Sequence, residues 1–314
     1  MSRPRHAPAK FQIILAFLGV YVCWSATYTF MSIGIKLLPA TVFAGVRMLL
    51  ASALMLGFCA LRGKRLLFGR STMGRLMLLG VLLLFGGNIG LVWSEHYLPS
   101  GLTALIVAVV PLYVAVIEIL SPDGDRLRKR GYFGLVLGFC AMVALLWPRL
   151  DKGFSGHPMQ IVAIAAILVG AFSWAYGSVL SRRMNLPVDP FVAAGWEMFA
   201  AGVANVFFAT AFWRWPYAVW NWRSITCIGY MILFGSLLGF TSYIWLISHV
   251  PVSKVSTYAY VNPMLAVVLG AIFLQETLEP SEYIGMVAIV ASVALVTTSR
   301  LSTSKPVAEV ESQA

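Results

Sequence analysis

The sequence predicts an all-α integral membrane fold of ten transmembrane helices, arranged as two inverted five-helix repeats. Three observations lead there. The composition is too apolar for water, apolar runs of membrane length follow one another almost end to end, and a set of motifs recurs about 150 residues further on.

Of the 314 residues, 60% are hydrophobic and 11% are charged, and the mean hydropathy is +0.83. Soluble domains carry roughly a quarter charged residues, so the expected solvent is the lipid bilayer. A helix rises about 1.5 Å per residue and needs roughly 20 apolar residues to cross about 30 Å of hydrocarbon. In lipid every backbone polar group needs an internal partner, which leaves helices or closed barrels. Continuous apolar runs without period-two alternation select helices.

The runs place spans near 11–35, 40–61, 74–95, 99–120, 131–147, 160–181, 190–212, 224–247, 252–274 and 281–299. The corresponding organisation is a cytoplasmic tail over 1–10, a first repeat over 11–149, a second over 160–299, and a disordered cytoplasmic tail over 300–314. The first apolar run follows Arg3, Arg5 and Lys10 as a secretory signal would. It is longer than a signal core and lacks a small-x-small cleavage pattern, so it is read as a retained helix. No room is left for a soluble catalytic domain.

Charge placement sets the orientation. Seventeen of the 23 Lys and Arg residues, from Arg3 through the clusters at 62–75 and 126–130 to Lys305, fall on one side of this map; Lys36, Arg149, Lys152, Arg214 and Arg223 fall on the other. The positive-inside rule then puts both termini in the cytoplasm. A net charge of +11 so distributed marks topology and excludes nucleic acid as a partner. Cys23, Cys59, Cys140 and Cys227 lie in or beside apolar spans, form no CxxC pair, and read as packing residues.

The two halves repeat. Trp24-Ser25-Ala26-Thr27 corresponds to Trp174-Ala175-Tyr176-Gly177, and Ala44-Gly45-Val46-Arg47-Met48 to Ala194-Gly195-Trp196-Glu197-Met198. Phe85-Gly86 through Gly90 corresponds to Phe234-Gly235 through Gly239, Trp93, Pro99 and Pro111 to Trp245, Pro251 and Pro263, and Tyr132-Phe133-Gly134 to Tyr283-Ile284-Gly285. Anchors in one order indicate a duplication. Five helices per copy is an odd number, so the second copy enters the membrane from the opposite face. Inverted repeats of this kind recur in secondary transporters, with the site near the midplane.

These residues resemble the drug/metabolite transporter superfamily, in particular its EamA type and the YedA-like exporters within it. The carriers in the first half are Trp24-Ser25, Ala44-Gly45-Val46-Arg47 and Leu84-Phe85-Gly86-Gly87-Asn88. In the second half they are Ser173-Trp174-Ala175-Tyr176-Gly177-Ser178, Glu197-Met198, and Tyr258-Ala259-Tyr260-Val261-Asn262-Pro263 followed by Glu276-Thr277-Leu278. The resemblance spans roughly 12–298 and implies ten helices, cytoplasmic termini in an inner membrane, and export of metabolites or amino acids. The first half departs from it, with Ser121-Pro122-Asp123-Gly124 where the second has Gln275-Glu276-Thr277-Leu278.

Several constellations are candidates for transport. Pro111 and Pro263 fall midway along the fourth and ninth spans; each removes a backbone donor and frees carbonyls that must face protein or a wet cavity. They are the candidate hinges, and a purely structural kink is the alternative. Arg47 and Glu197 lie about seven residues into their helices from opposite faces, so they are not expected to pair. A charge costs roughly 2.5–3.5 kcal/mol at mid-helix. Arg47 is read either as a contact for an anionic group of substrate or protein or as snorkelling to the interface. Glu197 is read as a proton-coupling or a structural carboxylate. Glu95, Glu118 and Glu276 are placed at span ends as solvated interfacial acids.

The candidate substrate cavity comprises Trp24, Tyr28, Asn88, Trp93, Thr103, Trp174, Tyr176, Tyr243, Tyr258 and Asn262, with Tyr260 among the neighbouring aromatics. Tyr and Trp combine an apolar body with a polar tip, which suits amphipathic ligands. Gly86 with Gly90 and Gly235 with Gly239 form small-xxx-small pairs for close helix packing. No phosphate-binding loop, nucleophile motif or metal cluster is present, and no cofactor is expected.

The leading reading is a secondary transporter that exports small metabolites, amino acids or drug-like amphipathic compounds by alternating access, with the proton as candidate coupling ion. The rival is a membrane-embedded enzyme acting on lipid-linked substrates. His96 and His249 stand at span ends and not in the clusters such an enzyme needs. Oligomeric state is not legible in the sequence.

Overall fold

In the computed structural model, residues 10–121, 126–154, 157–250, 255, 258–277, 279–298 and 300–301 are described. The expected terminal tails and the Pro122-Asp123-Gly124 turn lie outside the described residues, apart from Lys10, Arg300 and Leu301. The helical elements join end to end into rods: α1 Lys10–Gly34, α2 Ala40–Leu61, α3 Arg70–Ser94, α4 Ser100–Leu120, α6 Pro158–Met184, α7 Pro190–Ala211 and α8 Trp222–His249, with α5 Lys129–Phe154, α9 over 258–274 and α10 Pro280–Thr298. Seven of them, α1 to α4 and α6 to α8, are long and apolar enough to cross a membrane. The last two rods contribute shorter apolar stretches, Val261–Leu274 and Tyr283–Val296. A two-residue antiparallel bridge joins Arg126–Leu127 to Arg300–Leu301.

Helix starts follow local chemistry. Pro39 and Pro99 stand extended before α2 and α4, and Pro158 and Pro190 occupy the first turns of α6 and α7. Proline suits these places because the first helical N–H groups have no intrahelical acceptor to lose. The Asp189 carboxylate accepts from the Phe191 amide at 2.9 Å to cap α7. Asn221 and Ser224 cap α8 reciprocally, at 3.0 and 2.9 Å. After α6 the chain turns through Asn185 at φ 38°, a conformation asparagine tolerates better than most residues.

The packing respects the repeat. Helix α2 lies along α7, α5 along α10 and α4 along α9; α3 packs on α6 as α8 packs on α1, α4 on α6 as α9 on α1, and α3 on α7 as α8 on α2. Adding or subtracting five turns every pair into itself or into another pair on this list. A π-helical stretch interrupts α3 at Val81–Gly86 and α8 at Met231–Phe240, again equivalent places. Such insertions bend a helix and recur at functional sites.

The glycine pairs lie at these crossings. A Cβ on Gly90 would stand 2.6 Å from the Ala166 carbonyl oxygen, and one on Gly86 2.5 Å from the Ser173 hydroxyl, both on α6. In the other half, Gly235 and Gly239 face Thr27 and Trp24 of α1. The outer surface is apolar: along α1, Phe11, Ile14, Leu15, Leu18 and Val22 are exposed at helical spacing. Trp213, Tyr217, Trp220 and Trp222 are exposed around the α7–α8 connection, where an aromatic belt would sit at a membrane interface.

Pro111 and Pro263 differ in effect. Helix α4 breaks into Ser100–Val107 and Val110–Leu120, with tight turns from Ala108 N to Leu105 O and Val109 N to Ile106 O, both 3.1 Å. Pro263 sits inside an uninterrupted α-helical run, Tyr258–Leu269. The ninth rod departs from α geometry only at Gly270–Leu274.

Gly90→Ala should lower the midpoint of thermal unfolding in detergent, because a Cβ against backbone cannot be relieved by a side-chain rotation; overpacking costs about 1–3 kcal/mol. Gly57→Ala, where nothing lies within 4 Å, should be neutral or stabilising by about 0.5–1 kcal/mol through helix propensity.

Candidate substrate cavity

The crossing of α3 on α6 and of α8 on α1 brings aromatic side chains from both halves together at mid-depth. Trp24 meets Trp174 edge to face at 5.6 Å, Tyr258 at 5.3 Å and Tyr243 at 5.3 Å between ring centroids. Trp174 also meets Tyr243 at 5.2 Å, and Tyr243 meets Tyr258 at 6.0 Å. Contacts of this geometry are each worth about 0.5–1.5 kcal/mol beyond area burial. Their polar tips are satisfied. Trp24 Nε1 donates to the Gly235 carbonyl at 3.0 Å, and Trp174 Nε1 to the Tyr243 hydroxyl at 3.1 Å. Ser178 and Tyr243 share a 2.7 Å hydroxyl pair. The single Ser25 hydroxyl proton is shared between the Tyr21 carbonyl at 2.5 Å and Asn262 Oδ1 at 3.3 Å, tying α9 to α1.

Above this layer, toward the ends of helices at Gly34, Ala40 and Ser94, lies a cavity of ≈ 90 Å³ lined by Trp24, Thr27, Tyr28, Met31, Arg47, Met48, Leu84, Asn88, Leu91, Trp174, Met231, Ser236, Phe240, Tyr258 and their neighbours. Below it, toward the α6–α7 connection, a wider hollow of ≈ 740 Å³ is lined by Leu76, Leu79, Arg182, Asp189, Glu197, Ile244, Ile247 and His249 among others. The aromatic cluster therefore separates two hollows that approach it from opposite ends of the bundle.

Arg47 is 3% exposed, so it does not snorkel. Its Nη2 donates to Asn88 Oδ1 at 2.6 Å, while Nε meets no acceptor among the described residues. Glu197 is 1% exposed; its Oε2 meets no donor among the described residues, and it borders the lower hollow, apart from Arg47.

The acids at span ends differ from expectation. Glu95 is not solvated: it is 6% exposed and neither carboxylate oxygen has a hydrogen-bond partner among the described residues. The α3–α4 turn folds it inward, into electrostatic reach of Arg47, Tyr28 and Glu276. Glu276 accepts from the Ser100 amide (3.0 Å), the Ser100 hydroxyl (2.7 Å) and the Gly101 amide (3.3 Å), so a carboxylate from the second half caps α4 of the first. Glu118 pairs with Arg183 at 3.1 Å.

Of the ten expected cavity residues, Trp24, Tyr28, Asn88, Trp174 and Tyr258 line the upper cavity. Tyr243 and Asn262 are buried behind it and hold its walls. Three lie elsewhere. Trp93 packs on Tyr97 at 4.9 Å, Thr103 is fully buried and donates to the Pro99 carbonyl at 3.1 Å, and Tyr176 is exposed and stacks on Phe172. Tyr176 is two positions from Trp174, and helical geometry turns it to another face. The Tyr260 side chain lies outside the described residues. Sequence reasoning missed Ser178 as a site residue, although its spacing of four from Trp174 puts both on one face. It also missed the apolar walls at Met31, Met48, Leu84 and Met231, whose residue types resemble any core.

The EamA-like transporter family model matches twice, over residues 11–147 and 161–298. This chain belongs to that family. It is 36% identical over 294 residues to the inner membrane transporter YedA of Escherichia coli (strain K12), covering 93% of each chain. It is 28% identical over 292 residues to the transporter YvbV of Bacillus subtilis (strain 168), covering 91% of each. A solved crystal structure shares the fold at a TM-score of 0.66 and 19% identity, covering 92% of this chain and 98% of the other. The chain is thus a membrane transporter and not an enzyme, which sets aside the lipid-linked-substrate alternative.

Proposed function

We propose that this EamA transporter is a secondary exporter of small metabolites, amino acids or drug-like amphipathic compounds, working by alternating access between two inverted five-helix repeats. The observation that carries the reading is the aromatic layer between two hollows approaching from opposite ends of the bundle. Rocking one half against the other would exchange which hollow reaches the layer. Substrate rests against Trp24, Trp174 and Tyr258, with Pro111 and Pro263 as hinge positions.

Ten spans with both termini in the cytoplasm fit the contacts between connections. Lys64 after α2 pairs with Asp189 before α7 at 2.8 Å. Arg182 near the end of α6 donates to the Ile247 and Val250 carbonyls at the end of α8, at 3.1 and 2.9 Å. All of these lie on the expected cytoplasmic side. The Val219 amide donates to the Leu37 carbonyl at 2.8 Å, on the expected outer side. An inner membrane location follows from the likeness to YedA. The proton is the candidate coupling ion, and Glu197 the candidate carboxylate on the cytoplasmic path.

Purified protein in proteoliposomes, given a metabolite panel scored by counterflow, should show saturable exchange. Trp174→Ala and Asn262→Ala should each lower it by about tenfold or more, the scale on which a binding pocket discriminates; full activity in both would remove the cavity assignment. Single cysteines at 36–38 and at 186–188, in a protein without its native cysteines, should react with impermeant reagent from opposite faces, and reaction from one face only defeats the inverted arrangement. A Glu197→Gln protein is expected to lose proton-driven uptake, and one that keeps it fully excludes Glu197 as the coupling group.

A further inference from the structure

Two buried groups of opposite charge are incompletely satisfied, Arg47 in the lining of the upper cavity and Glu95 just beyond the end of α3. Arg47 carries five N–H donors; Nη2 is placed on a neutral amide, Asn88 Oδ1, and Nε on nothing among the described residues. Glu95 has neither oxygen partnered, at 6% exposure. The two sense each other electrostatically, yet the ion pairs among the described residues are Lys64–Asp189 and Arg183–Glu118. The other groups facing Glu95 are Tyr28 from α1 and Glu276 from beyond α9, with His96 beside it in the chain. Glu276 is already held by Ser100 and Gly101.

A buried guanidinium with free donors, set in an apolar wall, calls for a planar anion. A carboxylate buried with no donor is too costly to keep ionised and takes a proton instead. In this structure the guanidinium makes no ion pair with the acid; it donates to Asn88 and lines the cavity. We infer that the cavity binds a carboxylate with an aromatic or other apolar body, held by Arg47, and that Glu95 is the internal carboxylate this ligand displaces. This rests on the transporter reading for its biological sense, not for its geometry.

The exchange balances. In the free protein at high pH, Glu95 is ionised and its charge is offset by Arg47, which lies within electrostatic reach. An incoming carboxylate takes the guanidinium, Glu95 is released and binds one proton from solution, and the total charge of the site is unchanged. One anion and one proton therefore enter together. A dianion is disfavoured, because a single guanidinium is present and Glu95 and Glu276 stand nearby. A cation gains nothing at Arg47.

The test uses the whole protein in lipid nanodiscs and three probes with one body: 3-phenylpropionate, 3-phenylpropanol and 3-phenylpropylamine, titrated by calorimetry. The acid should bind at least about tenfold tighter than the alcohol, and the amine weakest. Acid affinity should rise as pH falls, by up to about tenfold per unit for one linked proton, and buffers of different ionisation enthalpy should register proton uptake. Glu95→Gln should keep the preference for the acid and lose the pH slope. Arg47→Gln should abolish the preference for the acid over the alcohol. Equal binding of acid and alcohol by the wild type, or no binding of either, overturns the proposal, as does an unaltered pH slope in Glu95→Gln. These wild-type and Glu95→Gln results decide the matter even if Arg47→Gln does not fold. Loss of counterflow with every metabolite would instead defeat alternating access and leave this binding result standing.

Discussion

Everything in this structure depends on the fact that lipid neither donates nor accepts hydrogen bonds. Each crossing segment must satisfy its backbone internally, so each is a helix, and helices gain little from burying apolar surface against one another when lipid is equally apolar. Association then rests on close packing. The glycines of α3 supply it by letting α6 approach to backbone contact, and those of α8 by admitting the Thr27 and Trp24 side chains of α1. That approach presses Trp174 against Gly87 and Trp24 against Gly239, so the residues that hold the halves together also build the cavity wall.

A near-symmetric scaffold has produced an asymmetric site. Trp24 and Trp174 are repeat equivalents, yet one indole donates to a backbone carbonyl and the other to the Tyr243 hydroxyl. Arg47 and Glu197 are equivalents of opposite charge, one lining the upper cavity and the other the lower hollow. The Glu276 clamp on α4 again joins the two halves. Duplication fixed where helices cross, and divergence at a few polar positions decided which charged group lines the hollow at each end of the bundle.

Much of the fold was legible. The helical rods follow apolar run length, seven of them long and apolar enough to cross a membrane, and the family match in each half agrees with the repeat read from Trp24, Gly45 and Gly86 against their counterparts. The site was legible in part. Trp24, Trp174 and Tyr258 stood out as aromatics at mid-span, whereas Tyr176 and Trp93 are equally aromatic and face elsewhere. Residue type does not encode azimuth, and in a bundle with lipid outside and protein inside both faces of a helix are apolar. The same limit hid the difference between Pro111, which sits at a break in α4, and Pro263, inside a continuous helix.

The sequence by itself determined the solvent, the helical class and the duplication, because these depend on composition, run length and order along the chain. Only the tertiary structure decided which charges are buried. Arg47 reads as able to reach an interface until α3 supplies Asn88 as its partner, and Glu95 reads as solvated until the α3–α4 turn folds it inward. Burial of a terminal residue is set by what packs over it, and that comes from elements distant in sequence.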